Sequence, residues 1–173
     1  MVESFVAMRL IQRLFAIFTI VFVLFVSLPL PVQAASSAAI RAYDDVKAAT
    51  KDFSGQTLLQ AEFSNAKLVS ANFSHANLRG AVFNGVLLTN ANFHGADLSD
   101  SIAYLSDLSG ADLSDAILTS AMLLKSRFRD ANVTGADFSD ALLDRDQVLA
   151  LCRTASGVNP VTGVDTRESL GCR

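Results

Sequence analysis

The sequence has few of the residues from which metal centres and catalytic sites are built. It contains two cysteines, Cys152 and Cys172, and two histidines, His75 and His94, among 173 residues. Neither cysteine has a histidine or another cysteine at metal-ligand spacing, and no nucleophile-elbow, phosphate-loop or zincin motif is present. We therefore expect no enzyme activity, no cofactor and no metal. The alternative, an enzyme using surface histidines with Asp115, stays open.

The chain also lacks an excess of positive charge. Lys and Arg number 14 against 17 Asp and Glu, which gives a formal net charge of −3. Because nucleic-acid binding depends on neutralising phosphates with Lys and Arg, we expect no nucleic-acid partner. The hydrophobic fraction of 51% is typical of a globular chain rather than a disordered one.

One long hydrophobic run is present, and it lies at the N-terminus. Arg9 and Arg13 precede an uncharged apolar stretch from Leu14 to Leu30, and small residues around Ala34 provide a cleavage site. This pattern predicts an export signal peptide over residues 1–34. The alternative is an uncleaved anchor. We expect membrane contact only through this segment.

Export changes the interpretation of the two cysteines. In an exported protein an even cysteine count favours a disulfide over a metal site or a nucleophile. Such a disulfide is either structural or redox-responsive, and the sequence leaves both alternatives open.

The segment "ANFSHANLRGAVFNG" repeats with a period of five, which fits neither an α-helix nor a half-buried strand. Nineteen blocks of five run without insertion from Lys51 to Arg145. The first residue is Ala in 13 of the 19 blocks and the third is Phe or Leu in 17, so two positions in five point inward. Gly, Asn and Asp recur at the fifth place, where the chain would turn a corner. The pattern predicts stacked coils.

The blocks "AEFSN AKLVS ANFSH ANLRG" resemble the pentapeptide-repeat family. The resemblance implies an all-β solenoid, a right-handed quadrilateral β-helix with four blocks per coil. Residues 20 apart then stack on one face, and the repeat range 51–145 makes about 4.75 coils at a spacing of ~4.8 Å.

A solenoid needs caps at its ends, and both ends of the repeat have helical patterns. We predict an N-terminal helical cap over residues 35–50 and a C-terminal helical cap over 146–173, the latter with one helix capped by Asp144 and a second near "DTRESLGC". The tail "LCRTASGVNPVTGVDTRESLGC" also resembles the C-terminal segment of pentapeptide-repeat proteins exported to the cyanobacterial or chloroplast thylakoid lumen. That resemblance implies a disulfide between Cys152 and Cys172 joining two capping helices.

Outward positions on the third face are apolar where the other faces are mostly polar. Exposed apolar clusters of this kind mark contact sites, although the protein's own termini could cover this one. We predict a monomeric, exported scaffold of the thylakoid lumen or periplasm that binds an unknown protein partner, and whose disulfide is either structural or redox-responsive. The alternative is a DNA mimic that binds gyrase through its acidic faces, as some family members do. The candidate partner-binding residues are Val82, Ile102, Tyr104, Met122 and Leu124.

Overall fold

The computed structural model describes residues 51–173, so the predicted signal peptide (1–34) and N-terminal cap (35–50) lie outside the described residues. The repeat region is held together by parallel β-bridges between residues 20 positions apart, from Asp52–Asn72 to Met122–Leu142. Each bridge is isolated, because only the second residue of each pentapeptide pairs. This register places four pentapeptides in one coil and confirms that part of the prediction.

Backbone hydrogen bonds join each coil to the coils on both sides. The third residue of a block donates to the second residue of the next coil, as Phe73 N–H does to the Asn92 carbonyl at 2.7 Å. The second residue donates in the opposite direction, as Asn92 N–H does to the Ala71 carbonyl at 2.9 Å. The amide groups of the second and third residues of the inner coils are therefore paired, as buried backbone requires.

The corners are formed by the fifth residue of each block, which has positive φ at every block from Gly55 to Asp140. The third residue accepts a hydrogen bond from the first residue of the next block, for example Ala76 N–H to the Phe73 carbonyl at 3.1 Å. Positive φ at the residue before the donor is the geometry of a type II turn. The predicted corner at the fifth place is thus confirmed.

The core consists of the first and third residues of the blocks. Phe53, Phe73 and Phe93 stack in one column, with ring centroids 4.7 and 5.0 Å apart. Phe83, in a second column, meets Phe73 edge to face at 5.9 Å. The side chains fill the inside of the coils, so function has to lie on the outer faces.

Two short helices follow the repeats. Helix α1 spans Arg145–Leu151 and helix α2 spans Thr166–Ser169, where the sequence pattern predicted them. Helix α1 begins one residue inside the predicted repeat range, because Asp144 already serves as its N-cap and the Asp144 N–H donates to the Gln147 side chain. Within residues 51–173 no helix has the length and hydrophobicity needed to cross a membrane.

Helix α1 and the chain that follows it contact the end of the repeat stack through side-chain hydrogen bonds. The Gln147 amide donates to the Leu123 and Ser126 carbonyls at 2.9 and 2.7 Å. Asn159 is buried, and its amide donates to the Gly135 carbonyl at 2.9 Å and to the Asp115 and Ala116 carbonyls of the previous coil at 3.2 Å. These contacts attach the C-terminal segment to the last coils.

Candidate functional site: the apolar ladder of face 3

Face 3 is defined here as the blocks 61–65, 81–85, 101–105 and 121–125, with 141–144 in the last coil. The second residues of these blocks form one bridged column. We call its apolar members, with the exposed side chains beside them, the apolar ladder: Val82, Ile102, Tyr104, Leu105, Met122, Leu124 and Leu142. The five candidate residues predicted from the sequence all belong to it. Their proximity is established, while their role in binding stays a prediction.

The equivalent column on the first face has a structural role that the apolar ladder cannot have. There, Asn72 accepts a hydrogen bond from the Ser74 N–H at 3.1 Å, and Asn132 donates to Asp112 of the previous coil at 3.0 Å. Asn and Asp at the second place therefore stabilise both the corner and the stack. The aliphatic side chains of Val82 and Ile102 have no polar atom with which to make such bonds, so they do not serve the fold in this way.

Exposure within the ladder is greatest around its third and last coils. Tyr104 is 40% exposed, Leu105 60% and Leu142 51%. The side chains of Val82, Ile102, Met122 and Leu124 are half-buried by their neighbours in the stack. A contiguous apolar surface of this kind on a solenoid face is available for contact with another protein surface.

Leu105 also differs in residue type from the other corner residues. It adopts the left-handed conformation with φ 56°. Among the corner residues from 55 to 140 it is the only apolar side chain, since the others are Gly, Asn, Asp, Ser, Gln, His or Lys. A Cβ-branched or bulky chain in this region is unfavourable by about 1 kcal/mol or more, whereas Gly and Asn are tolerated. A leucine here costs stability and leaves an apolar group in solvent.

The two ends of face 3 differ in charge. Glu62 lies in the first described coil, is exposed, and accepts a 3.4 Å hydrogen bond from the Ser64 hydroxyl. At the other end, Lys125 Nζ lies 3.1 Å from Asp144 Oδ1, and Arg145 follows as an exposed residue. The Lys125 backbone N–H and ammonium group hold the pKa of Asp144 below its ordinary value.

The histidine cluster considered from the sequence exists, but its geometry differs from that of a catalytic relay. The rings of His75 and His94 meet edge to face at 5.2 Å. His94 Nδ1 is 2.9 Å from Ser114 Oγ and 3.9 Å from Asp115 Oδ2. A Ser-His-Asp relay needs the two nitrogens of the ring to contact the two partners separately, whereas here one nitrogen faces both.

The acidic groups considered for DNA mimicry are partly neutralised by their neighbours. The Arg79 guanidinium lies 4.0 Å from Asp97 and 3.8 Å from Asp100. Burial raises the pKa of Asp137, but hydrogen bonds from the Ser139 hydroxyl and N–H outweigh it, so that pKa lies below its ordinary value. These carboxylates therefore already have ion-pair or hydrogen-bond partners within the chain.

A groove of about 730 Å³ lies between helix α1 and the face formed by blocks 106–110 and 126–130. Its walls contain three arginines and three aspartates, and Arg127 pairs with Asp107 at 2.8 Å. In residues 51–173 no group of three or more His, Cys, Asp or Glu side chains could hold a metal ion.

The predicted disulfide is present. Cys152 and Cys172 are bonded, with Cα atoms 5.7 Å apart, and join the end of helix α1 to the C-terminus. The Arg167 guanidinium donates to the Cys152 carbonyl at 2.7 Å, and the Cys172 N–H donates to the Arg167 carbonyl at 2.9 Å. Both half-cystines are half-buried. The link connects two helices, as the resemblance implied.

The five-residue coils, the filled interior and the patterned outer faces define a class of repeat protein that presents surfaces rather than an enclosed cavity. The family model for pentapeptide repeats matches residues 52–85, 66–102 and 106–145. The chain therefore belongs to the pentapeptide repeat family, and its fold is the right-handed quadrilateral β-helix that membership implies.

Two relatives are chloroplast proteins of Arabidopsis thaliana. Thylakoid lumenal protein TL20.3 is 60% identical over 42 residues, which are 24% of this chain and 15% of the relative. Thylakoid lumenal 15 kDa protein 1 is 47% identical over 45 residues, which are 26% of this chain and 20% of the relative. The matches thus span at most one fifth of these relatives' lengths.

Solved structures of pentapeptide repeat proteins are also similar. One, from the Arabidopsis thaliana thylakoid lumen, is 37% identical over 70% of this chain and 91% of its own, with a TM-score of 0.29. HetL of Nostoc sp., involved in heterocyst differentiation regulation, is 32% identical over 60% of this chain and 44% of its own, with a TM-score of 0.39.

Proposed function

We propose that this protein is a non-catalytic binding scaffold that acts after export to the thylakoid lumen or the periplasm. The lumenal location of its relatives supports export, and the signal-peptide pattern of residues 1–34 points the same way. The lack of relay geometry at His94 supports a role without catalysis.

The apolar ladder of face 3 is the proposed binding surface, and Leu105 is the observation that carries this proposal. Leu105 is unfavourable for the fold in two ways, because it has positive φ and is 60% exposed. A residue that destabilises the isolated chain is explained if it contributes to binding. Burying it with its neighbours against a protein surface would contribute about 1–3 kcal/mol per fully buried side chain.

We further propose that residues 146–173 cap the coil stack and that the disulfide holds this cap closed. The contacts of Gln147 and Asn159 with carbonyls of the last coils support the capping role. A redox response would act here, since reduction frees the cap while leaving the stacked rings and coil hydrogen bonds unchanged.

Retention of protein partners from an exported fraction tests the proposed binding face. The double variant Ile102→Asn with Met122→Asn places asparagine at the second place of two blocks on face 3. Asn72, Asn92 and Asn132 already occupy the second place on the first face, so the coils should remain folded. We expect this double variant to lose the partners that the wild type retains. Ile117→Asn, at the same repeat place on the second face, is the matched control and should retain them.

Two outcomes contradict the proposal. If the folded double variant retains every partner, face 3 is not the binding surface. If the wild type and both variants retain nothing in either the presence or the absence of reductant, the scaffold role itself is wrong. Circular dichroism of each variant establishes that the coils are intact.

A further inference from the structure

We propose that the surface bound by face 3 is the same face of a second copy of this chain, in an antiparallel two-fold dimer. The inference rests on the proposed function, because it names the partner of the same binding face. The sequence alone led us to expect a monomer, and the proposal departs from that expectation because of the charges at the two ends of the apolar ladder.

The first step is that both ends of face 3 carry a charge without an ion pair in the part of the chain that the structure describes. Glu62 is exposed and bonded only to the neighbouring Ser64 hydroxyl. Arg145 is exposed at the start of helix α1. Lys125, in contrast, is already paired with Asp144. Glu62 at one end and Arg145 at the other therefore flank the apolar ladder without an ion pair, while Asp146, the next residue after Arg145, lines the groove beside helix α1.

The second step is that symmetry decides how two such faces meet. A two-fold axis parallel to the stack would place Glu62 against the partner's Glu62 and Arg145 against the partner's Arg145, which is repulsive. An axis along the strand direction at the height of Ile102 reverses one stack relative to the other. Because Glu62 and Leu142 each lie two coils from Ile102, Glu62 of one copy then faces Leu142 of the other, three residues before Arg145.

The third step concerns the centre of the face. With the axis at Ile102, this residue faces the partner's Ile102, and Val82 faces the partner's Met122. Tyr104 and Leu105 stand at the same height as the axis and face their own counterparts. The most exposed apolar groups of the middle coil thus fall at the centre of the interface and the charges at its rim, which is the usual arrangement of protein interfaces.

Sedimentation equilibrium of the chain recovered from the exported fraction of an expressing host tests the dimer. We expect a concentration-dependent monomer–dimer equilibrium. Glu62→Arg alone and Arg145→Glu alone should each raise the dimer dissociation constant by about tenfold, because symmetry repeats each contact twice. The two substitutions together should restore it to within about threefold of the wild type. Glu168→Arg, an exposed charge reversal in helix α2, is the matched control and should change nothing.

The outcomes separate this inference from the proposed function. A chain that is monomeric at all concentrations but whose face 3 retains another protein contradicts the dimer and leaves the proposed function intact. A dimer that is unaffected by Leu105→Asn uses another surface, which contradicts the inference. Failure of the double charge reversal to restore association contradicts the antiparallel arrangement. Monomers in which face 3 is protected from solvent would show that the chain's own N-terminal segment covers it, which contradicts both proposals.

Discussion

Gly95 lies directly beneath the ring of His75, one coil away: a Cβ placed on Gly95 would stand 2.6 Å from His75 Nδ1. The two residues occupy the same corner column, in which Gly55, His75, Gly95, Asp115 and Gly135 alternate. A side chain in one coil thus occupies the space that the glycine of the next coil leaves open. In this column, side chains and glycines therefore alternate from one coil to the next.

This relationship predicts unequal costs for two glycine substitutions. Gly55→Ala and Gly95→Ala share the same left-handed backbone, with φ of 63° and 62°, and each should lower the free energy of unfolding by about 1–2 kcal/mol. No atom of residues 51–173 lies within 4 Å of the Cβ that Gly55 lacks, while Gly95→Ala must also displace His75, at a further cost of about 1 kcal/mol. Denaturant unfolding measures both. Equal costs, or a difference that persists when His75→Ala is added to Gly95→Ala, would contradict the packing argument.

Substitution of two buried serines by alanine should change the stability of the protein in opposite directions. Ser101 Oγ is buried without a hydrogen-bond partner in the described structure. Ser106 Oγ accepts from the Val86 N–H at 3.1 Å and donates to the Phe83 carbonyl. Ser101→Ala should therefore raise the free energy of unfolding by about 1 kcal/mol, and Ser106→Ala should lower it by a similar amount. Thermal unfolding of the two variants gives the comparison, and the reverse order would refute it.

The disulfide should stabilise the C-terminal segment and not the coils. Cys152 and Cys172 close a loop with a sequence separation of 20, which on the chain-entropy account contributes about 3 kcal/mol. We expect Cys152→Ser with Cys172→Ser to speed hydrogen exchange at Asn159 and Thr166 while the amides of Phe73 and Phe93 keep their protection. Collapse of protection throughout the coils would mean that the repeats depend on the bond.

Leu105→Asn should improve the fold while harming association. Asparagine suits the left-handed corner, so the free energy of unfolding of the isolated chain should rise by about 1 kcal/mol. The same substitution removes an apolar group from the ladder and should weaken partner binding. Ser120→Asn, at an equivalent corner with φ 58° on another edge, should leave binding unchanged. Lower stability in Leu105→Asn would show that the leucine packs within its own chain.

The five-residue register could be predicted from the sequence because every block repeats the same division of inward and outward residues. The 20-residue pairing of Asn72 with Asn92 and the positive φ at His75 follow from it. Helix α1 could be predicted because Asp144 and Gln147 form a local capping pattern. Each of these features depends on neighbours in sequence or on a fixed repeat spacing.

Other features depend on contacts for which the sequence has no signal. The buried amide of Asn159 donates to carbonyls 24 to 44 positions away, a contact that we did not predict from the sequence. The unusual conformation of Leu105 was also missed, although an apolar residue at the fifth place was a signal that could have identified it. The sequence also does not show which charges at the ends of face 3 are paired. The structure shows that Lys125 pairs with Asp144, whereas Arg145 has no ion pair among residues 51–173.

Site-specific photo-crosslinking in the intact host tests the binding face most directly. A benzoylphenylalanine in place of Tyr104 lies within the apolar ladder, and one in place of Asn132 lies at an exposed position on the first face. If face 3 binds protein, irradiation should produce a discrete adduct from position 104 and none from position 132, and an adduct of twice the chain mass would identify a second copy. Absence of an adduct at position 104, or equal adducts at both positions, would contradict the assignment of the apolar ladder as the binding surface.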